Sequence, residues 1–207
     1  MNADTKQFFL TGEAGNLECA LDLPGTEPAG IALLAHPHPL YGGTMNNKVV
    51  QMMARSFVGL GYAAARMNFR GVGRSGGMHD YGNGETDDMA VLLDHMRKLY
   101  PGLPFVLGGF SFGTYVQSRL QQHLASKGLQ PERMVFVSAT AGKWAVEKVP
   151  GNTVLIHGEL DDVVPLTDVF DWARPQDLPV TVVAGADHLF NHKLHHIRNI
   201  ITAFFRA

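Results

Sequence analysis

Pro104-Phe105-Val106-Leu107-Gly108-Gly109-Phe110-Ser111-Phe112-Gly113-Thr114-Tyr115-Val116-Gln117 decides the fold. Its first half, Pro104 to Phe110, is an apolar, strand-sized run, and Ser111 to Ala125 reads as a helix. Between them Gly109-Phe110-Ser111-Phe112-Gly113 fits the pattern G-x-S-x-G. That pattern puts a serine on a sharp strand-to-helix turn, in a strained conformation that pushes the hydroxyl out of the backbone. Side chains two residues to either side would collide with the neighbouring strand or helix, so both positions are glycine. The helix that follows aims its first N–H groups at the serine, a setting that favours a developing oxyanion. The bland alternative is a glycine-rich strand end that happens to carry a serine, and the strand and helix on either side argue against it.

Working outward, strands and helices alternate. Thr5 to Leu10 and Leu17 to Leu23 read as two strands joined by a turn at Gly12 to Asn16. Ile31 to Ala35 is a buried strand ending in His36-Pro37-His38-Pro39. Thr44 is a candidate cap for a helix with Met45, Val49, Met53, Phe57 and Leu60 on one face, ended by Gly61. Tyr62 to Phe69 is the next strand, and a helix runs from about Gly84 to Leu99 with acidic residues in its first turns. Met134 to Val137, Thr153 to Ile156 and Val180 to Ala184 are three further strands. Helices are expected near Ala141–Val149 and Leu166–Trp172, and a last one with Phe190, Leu194, Ile197, Ile201 and Phe204 on its stripe. The expectation is an α/β fold over residues 1–207 as one domain: a mostly parallel sheet of about eight strands, an antiparallel start, helices on both faces, and loops too short for a cap domain.

A serine hydroxyl needs a base within hydrogen-bond reach, and the base needs a carboxylate to hold its tautomer. In this fold class they follow in the order serine, acid, histidine. After Ser111, the strand Thr153 to Ile156 runs into His157-Gly158-Glu159-Leu160-Asp161-Asp162, and the last strand runs into Ala184-Gly185-Ala186-Asp187-His188. Ten histidines compete for the base role. His36 and His38 precede the serine, His157 precedes the acid loop, and His123, His192, His195 and His196 sit on helices among polar neighbours. His188 alone follows the final strand. Asp161 and Asp162 are not separated by the sequence physics.

Composition narrows the function classes. The 207 residues carry 17 Lys+Arg and 19 Asp+Glu, a net charge of −2, so no strong field is available for nucleic acid or an anionic membrane surface. One cysteine, Cys19, allows no internal disulfide. The N-terminal stretch is polar and no apolar run approaches the ~20 residues of a membrane span, so a cytoplasmic location is expected. Gly71-Val72-Gly73-Arg74-Ser75-Gly76 fits G-x-G-x-x-G, but it follows about the fourth strand and no strand-end acid lies some twenty residues on. A tight loop over the sheet is the better reading. His36 and His38 lack a third metal-type ligand nearby, and no metal or cofactor is expected.

Together these pieces resemble the α/β-hydrolase superfamily over nearly the whole chain. The resemblance is nearest to the small capless bacterial members related to dienelactone hydrolases and carboxylesterases. It rests on His36-Pro37-His38-Pro39-Leu40-Tyr41-Gly42-Gly43, Asn68-Phe69-Arg70-Gly71-Val72-Gly73-Arg74-Ser75, the serine turn, Gly158-Glu159-Leu160-Asp161 with Val164-Pro165, and Ala186-Asp187-His188-Leu189-Phe190. It implies a serine hydrolase of an ester or similar acyl bond of a small molecule. Ser111 would be the nucleophile, His188 the base and Asp161, rather than Asp162, the acid. It also implies an oxyanion hole of two N–H groups, Phe112 and one in the loop after the third strand. Relatives often have His-Gly there; here Pro37 and Pro39 cannot donate, which leaves His38 or Leu40. Tyr41, Phe110 and Leu189 are expected to line the substrate site. A peptidase or thioesterase with the same triad, and a non-catalytic binding protein on the same fold, remain alternatives.

Overall fold

The computed structural model describes residues 5–206. Eight strands form one sheet in the order β1-β2-β4-β3-β5-β6-β7-β8. β1 (Lys6–Gly12) and β2 (Gly15–Asp22) pair antiparallel through a tight turn, with Gly12 opposite Gly15. β2 also runs antiparallel to β4 (Tyr62–Met67). From there β3 (Gly30–Ala35), β5 (Phe105–Phe110), β6 (Arg133–Val137), β7 (Val154–Gly158) and β8 (Val180–Val183) are parallel. β3, β5 and β7 are buried along their whole length, as apolar strands covered on both faces must be.

Helices α2 (Asn83–Leu99) and α3 (Phe112–Ala125) cover one face. Met89, Leu92, Leu93 and Met96 from α2 and Val116, Leu120 and Leu124 from α3 pack there against Leu33, Ala65, Leu107 and Phe136. The other face carries α1 (Lys48–Gly59) and α5 (Leu194–Arg206), which bring Val49, Met53, Phe57, Ile197 and Ile201 against Leu34, Val106, Val135 and Ile156. α4 (Leu166–Ala173) lies between β7 and β8 in sequence. No helix among the described residues is long and apolar enough to cross a membrane.

Three expected elements differ. Thr44 does not cap α1. Asn47 does, its side chain accepting the Val49 N–H at 2.9 Å, while Met45 stays outside the helix because its N–H is taken by Asn68 Oδ1 at 2.9 Å. Ala141–Val149 is not helical. Its backbone is held from outside: Ser118 Oγ accepts the Glu147 N–H, Gln176 Oε1 the Val149 N–H, and the Val146 carbonyl takes the Trp172 indole N–H at 2.9 Å. Phe190, expected on the last helix, lies before α5 in the loop that carries His188, fully buried at φ 52°. Phe204 is 40% exposed, so the buried stripe of α5 is Ile197 and Ile201.

The loop 68–82 after β4 is pinned by charge. Arg70 holds Asp88 of α2 with two bonds, 2.8 and 3.0 Å, both side chains buried. The glycine-rich piece lies on the β1–β2 hairpin, with Gly76 N–H on the Asn16 carbonyl and Arg74 N–H on Glu18. This is the tight loop expected from the sequence. Removing one partner of a buried pair strands the other charge. Arg70→Ala is therefore expected to lose about 3–5 kcal/mol of unfolding free energy in urea, and Arg70→Met with Asp88→Leu to recover most of it.

Candidate active site

The candidate site lies at the C-terminal ends of β3, β5, β7 and β8. Ser111 leaves β5 at φ 53°, ψ −123°, a left-handed conformation that costs an ordinary residue about 1–3 kcal/mol. Its surroundings hold it there. The Ser111 N–H donates to the Val137 carbonyl of β6 at 3.0 Å, and its carbonyl accepts from the Thr114 N–H and hydroxyl at 2.8 and 2.7 Å. The two glycines are sterically required. A Cβ on Gly109 would sit 2.6 Å from the Gly113 backbone, and one on Gly113 would sit 2.4 Å from the Ala35 carbonyl oxygen. The first turn of α3 is thereby pressed against both its own strand and the start of the β3 loop.

Ser111 Oγ donates to His188 Nε2 at 3.2 Å. His188 Nδ1 donates to the Asp161 carboxylate, 2.8 Å to Oδ2 and 3.0 Å to Oδ1. Asp161 Oδ1 also accepts the N–H groups of Val163 and Val164, at 3.0 and 2.8 Å. All three side chains are buried. Burial alone would push the Asp161 carboxyl up; the bond and charge of His188 and the Val164 N–H outweigh it and hold it below the usual aspartate value. Asp162, its neighbour, is exposed and lines the cleft instead. The loop carrying His188 is anchored by buried Phe190.

The loop after β3 is anchored by His36, which is fully buried. Its Nε2 accepts the Phe69 N–H at 2.9 Å, so its Nδ1 carries the proton and donates to the Pro37 carbonyl at 2.6 Å. Burial lowers this imidazole to about 3. Beyond it the N–H groups are nearly all used internally: Leu40 on His38 Nδ1, Tyr41 and Gly43 on the His38 carbonyl, and Gly42 on the Pro39 carbonyl. The His38 N–H remains, and the Phe112 N–H is likewise without a partner among the described residues. Leu40, whose N–H is committed and whose side chain is 68% exposed, is the less suited of the two expected donors.

A cleft of about 880 Å³ opens above Ser111 and His188. Tyr41 and Leu189 line it, with Phe110 fully buried at its floor; Lys143, Trp144, Leu160 and Val163 line it too and were not singled out in the sequence. Phe110 also lies against the His188 ring, centroids 5.0 Å apart. The Phe112 side chain is not part of the lining, being buried against Phe69, Tyr115 and Trp144. His157, set aside as a base because it precedes the acid loop, donates to the Val164 carbonyl at 3.0 Å with Nε2 3.6 Å from Asp161. Burial lowers its basicity.

A parallel-centred sheet of this order, with a serine on the β5–α3 turn and a histidine and aspartate on later strand ends, defines an α/β hydrolase. A family model described as "Serine aminopeptidase, S33" matches residues 28–171. The chain is 31% identical to an uncharacterized protein of Rickettsia prowazekii over 96% of its own length and 87% of that protein. Among solved structures it is similar to an α/β serine hydrolase without lid from Xanthomonas campestris, at 33% identity and a TM-score of 0.89, covering 100% of this chain and 95% of that one. An α-β serine hydrolase homologue from Coxiella burnetii gives 30% identity and a TM-score of 0.87, with 96% of each chain covered. The chain belongs to this family of capless α/β serine hydrolases.

His36 stays neutral in the folded chain while the unfolded chain takes up a proton below about pH 6.5. Stability from this group is therefore present above pH 6.5 and lost as pH falls toward 3. In urea titrations between pH 6 and 4, the wild type is expected to lose stability faster than His36→Asn, by up to about 1.4 kcal/mol per pH unit.

Proposed function

We propose that the protein hydrolyses an ester or related acyl bond of a small molecule through Ser111, His188 and Asp161 and an acyl-enzyme. The observation that carries this reading is the continuous hydrogen-bond chain from Ser111 Oγ through His188 to the Asp161 carboxylate. Ser111 Oγ attacks the carbonyl carbon as His188 Nε2 takes its proton. The oxyanion rests on the N–H groups of Phe112 and His38, each such donor being worth roughly 10²–10³ in rate. His188 returns the proton to the leaving group, then activates the water that cleaves the acyl-serine. Asp161 keeps the proton of the resting imidazole on Nδ1 and stabilises the imidazolium.

The cleft would suit a substrate with an apolar part, since Tyr41, Trp144, Leu160, Val163 and Leu189 line it beside the charged Lys143, Asp162 and Asp187. A peptidase reading draws on the description of the matching family model, and the same catalytic groups would serve it. A panel of ester, thioester and peptide substrates separates these readings.

With p-nitrophenyl acetate or butyrate the wild type is expected to turn over, and Ser111→Ala and His188→Ala to lose about 10⁴–10⁶-fold in kcat. Asp161→Asn is expected to lose about 10⁴-fold with KM little changed, because the wrong imidazole tautomer then faces Ser111. Undiminished turnover by Ser111→Ala contradicts the assignment.

A further inference from the structure

A second carboxylate–imidazole pair lies on the other side of Phe112. Glu85, in the first turn of α2, is fully buried. Its Oε1 accepts the Asp80 N–H at 2.9 Å and His79 Nδ1–H at 2.7 Å, and its Oε2 accepts the Gly82 N–H at 2.8 Å. Three donors at a helix N-terminus fill the acceptor sites of this carboxylate. They also fix the proton of His79 on Nδ1. The other nitrogen, Nε2, is buried and has no partner among the described residues, on a side chain only 5% exposed.

Such an arrangement is costly to bury, and an apolar residue would pack the same space more stably. Its neighbours suggest what it serves. The His79 ring lies 4.7 Å from the His38 ring and 5.4 Å from Phe112, centroid to centroid. His38 and Phe112 are the two residues whose N–H groups serve as oxyanion donors in the proposed mechanism. In the loop after β3, Leu40 and Tyr41 turn outward, at 68% and 87% exposed. The His38 ring lies against His79, Phe112 and Trp144 on its inner side and against Tyr41 on its outer side. The same ring carries the Nδ1 that occupies the Leu40 N–H. A wall that fixes the ring therefore fixes both the place of the His38 N–H and the exclusion of Leu40 from the hole.

We propose that His79, oriented by Glu85, is a positioning residue that sets the oxyanion-binding loop by bracing the His38 ring against Phe112. The proposal rests on the reading of Ser111 as nucleophile and His38 N–H as oxyanion donor. It assigns no proton transfer to His79. The effect should fall on the tetrahedral species, which needs the hole, and spare the ground-state complex.

The test is steady-state hydrolysis of p-nitrophenyl butyrate by wild type, His79→Asn and Glu85→Gln, with sites counted by fluorophosphonate labelling. His79→Asn keeps an amide donor for Glu85 and removes the ring; Glu85→Gln removes the charge and keeps the volume. Expected is a fall in kcat per labelled site of about 10–100-fold, less than full loss of a donor, with KM within about threefold. Inhibition by a trifluoromethyl ketone, a tetrahedral mimic, should weaken by a similar factor. Adding His79→Asn to His38→Ala should cost little more, because the ring it braces is already gone. If kcat per labelled site stays within twofold in both variants while only melting temperature falls, the pair is merely structural and the proposal is wrong. Multiplying losses in the double variant also overturn it. A wild type that is neither labelled at Ser111 nor active removes the proposed function and this inference together, whereas an active, labelled wild type with unaffected variants removes this inference alone.

Discussion

The positive φ of Ser111 is the constraint on which the site depends. An unfavourable backbone conformation persists only when its surroundings over-determine it. Here the bonds to Val137 and Thr114 close the turn. The lack of side chains at Gly109 and Gly113 lets α3 start within van der Waals contact of β5 and of the Ala35–His36 backbone. That contact brings the β3 loop, with its free N–H at His38, beside the serine. Thr114 extends the linkage, its hydroxyl accepting the Thr140 N–H at 3.1 Å, so the turn is tied to the loop after β6 as well.

The rest of the site is a set of strand ends converging on that turn. Parallel strands all end on one edge, so residues following β3, β5, β7 and β8 meet there although they lie far apart in the chain. Each loop carries its own anchor. His36 bonds Phe69 and Pro37, Asp161 is held by the N–H groups of its own loop, and Phe190 fills the core beneath His188. The reacting groups are thus positioned by buried neighbours rather than by contact with each other alone. The exposed side chains of Leu40 and Leu160 take no part in these anchors.

The serine turn was legible in the sequence because its chemistry is local: five consecutive residues must satisfy one steric requirement. His188 and the acid loop were legible because strand order limits where partners can come from, though choosing Asp161 over Asp162 needed the family resemblance. What escaped depended on contacts between distant segments. The α1 cap moved from Thr44 to Asn47 because Asn68, on another loop, captures Met45. The expected helix over 141–149 lost to side-chain bonds from Ser118, Trp172 and Gln176. Leu40 and His38 stand level in the sequence, and the bond from the Leu40 N–H to the His38 ring depends on a loop shape that the sequence does not display. Glu85 read only as an acid favourable to a helix start, and its bond to His79 crosses a turn whose shape no spacing rule supplies.

The most direct test of the central claim is to trap the covalent intermediate. Wild-type protein mixed with p-nitrophenyl butyrate, quenched in acid within milliseconds and digested, should yield a butyryl adduct on the peptide carrying Ser111 when analysed by mass spectrometry. An adduct on another residue, or turnover with no adduct under conditions where deacylation limits the rate, would contradict a mechanism built on that turn.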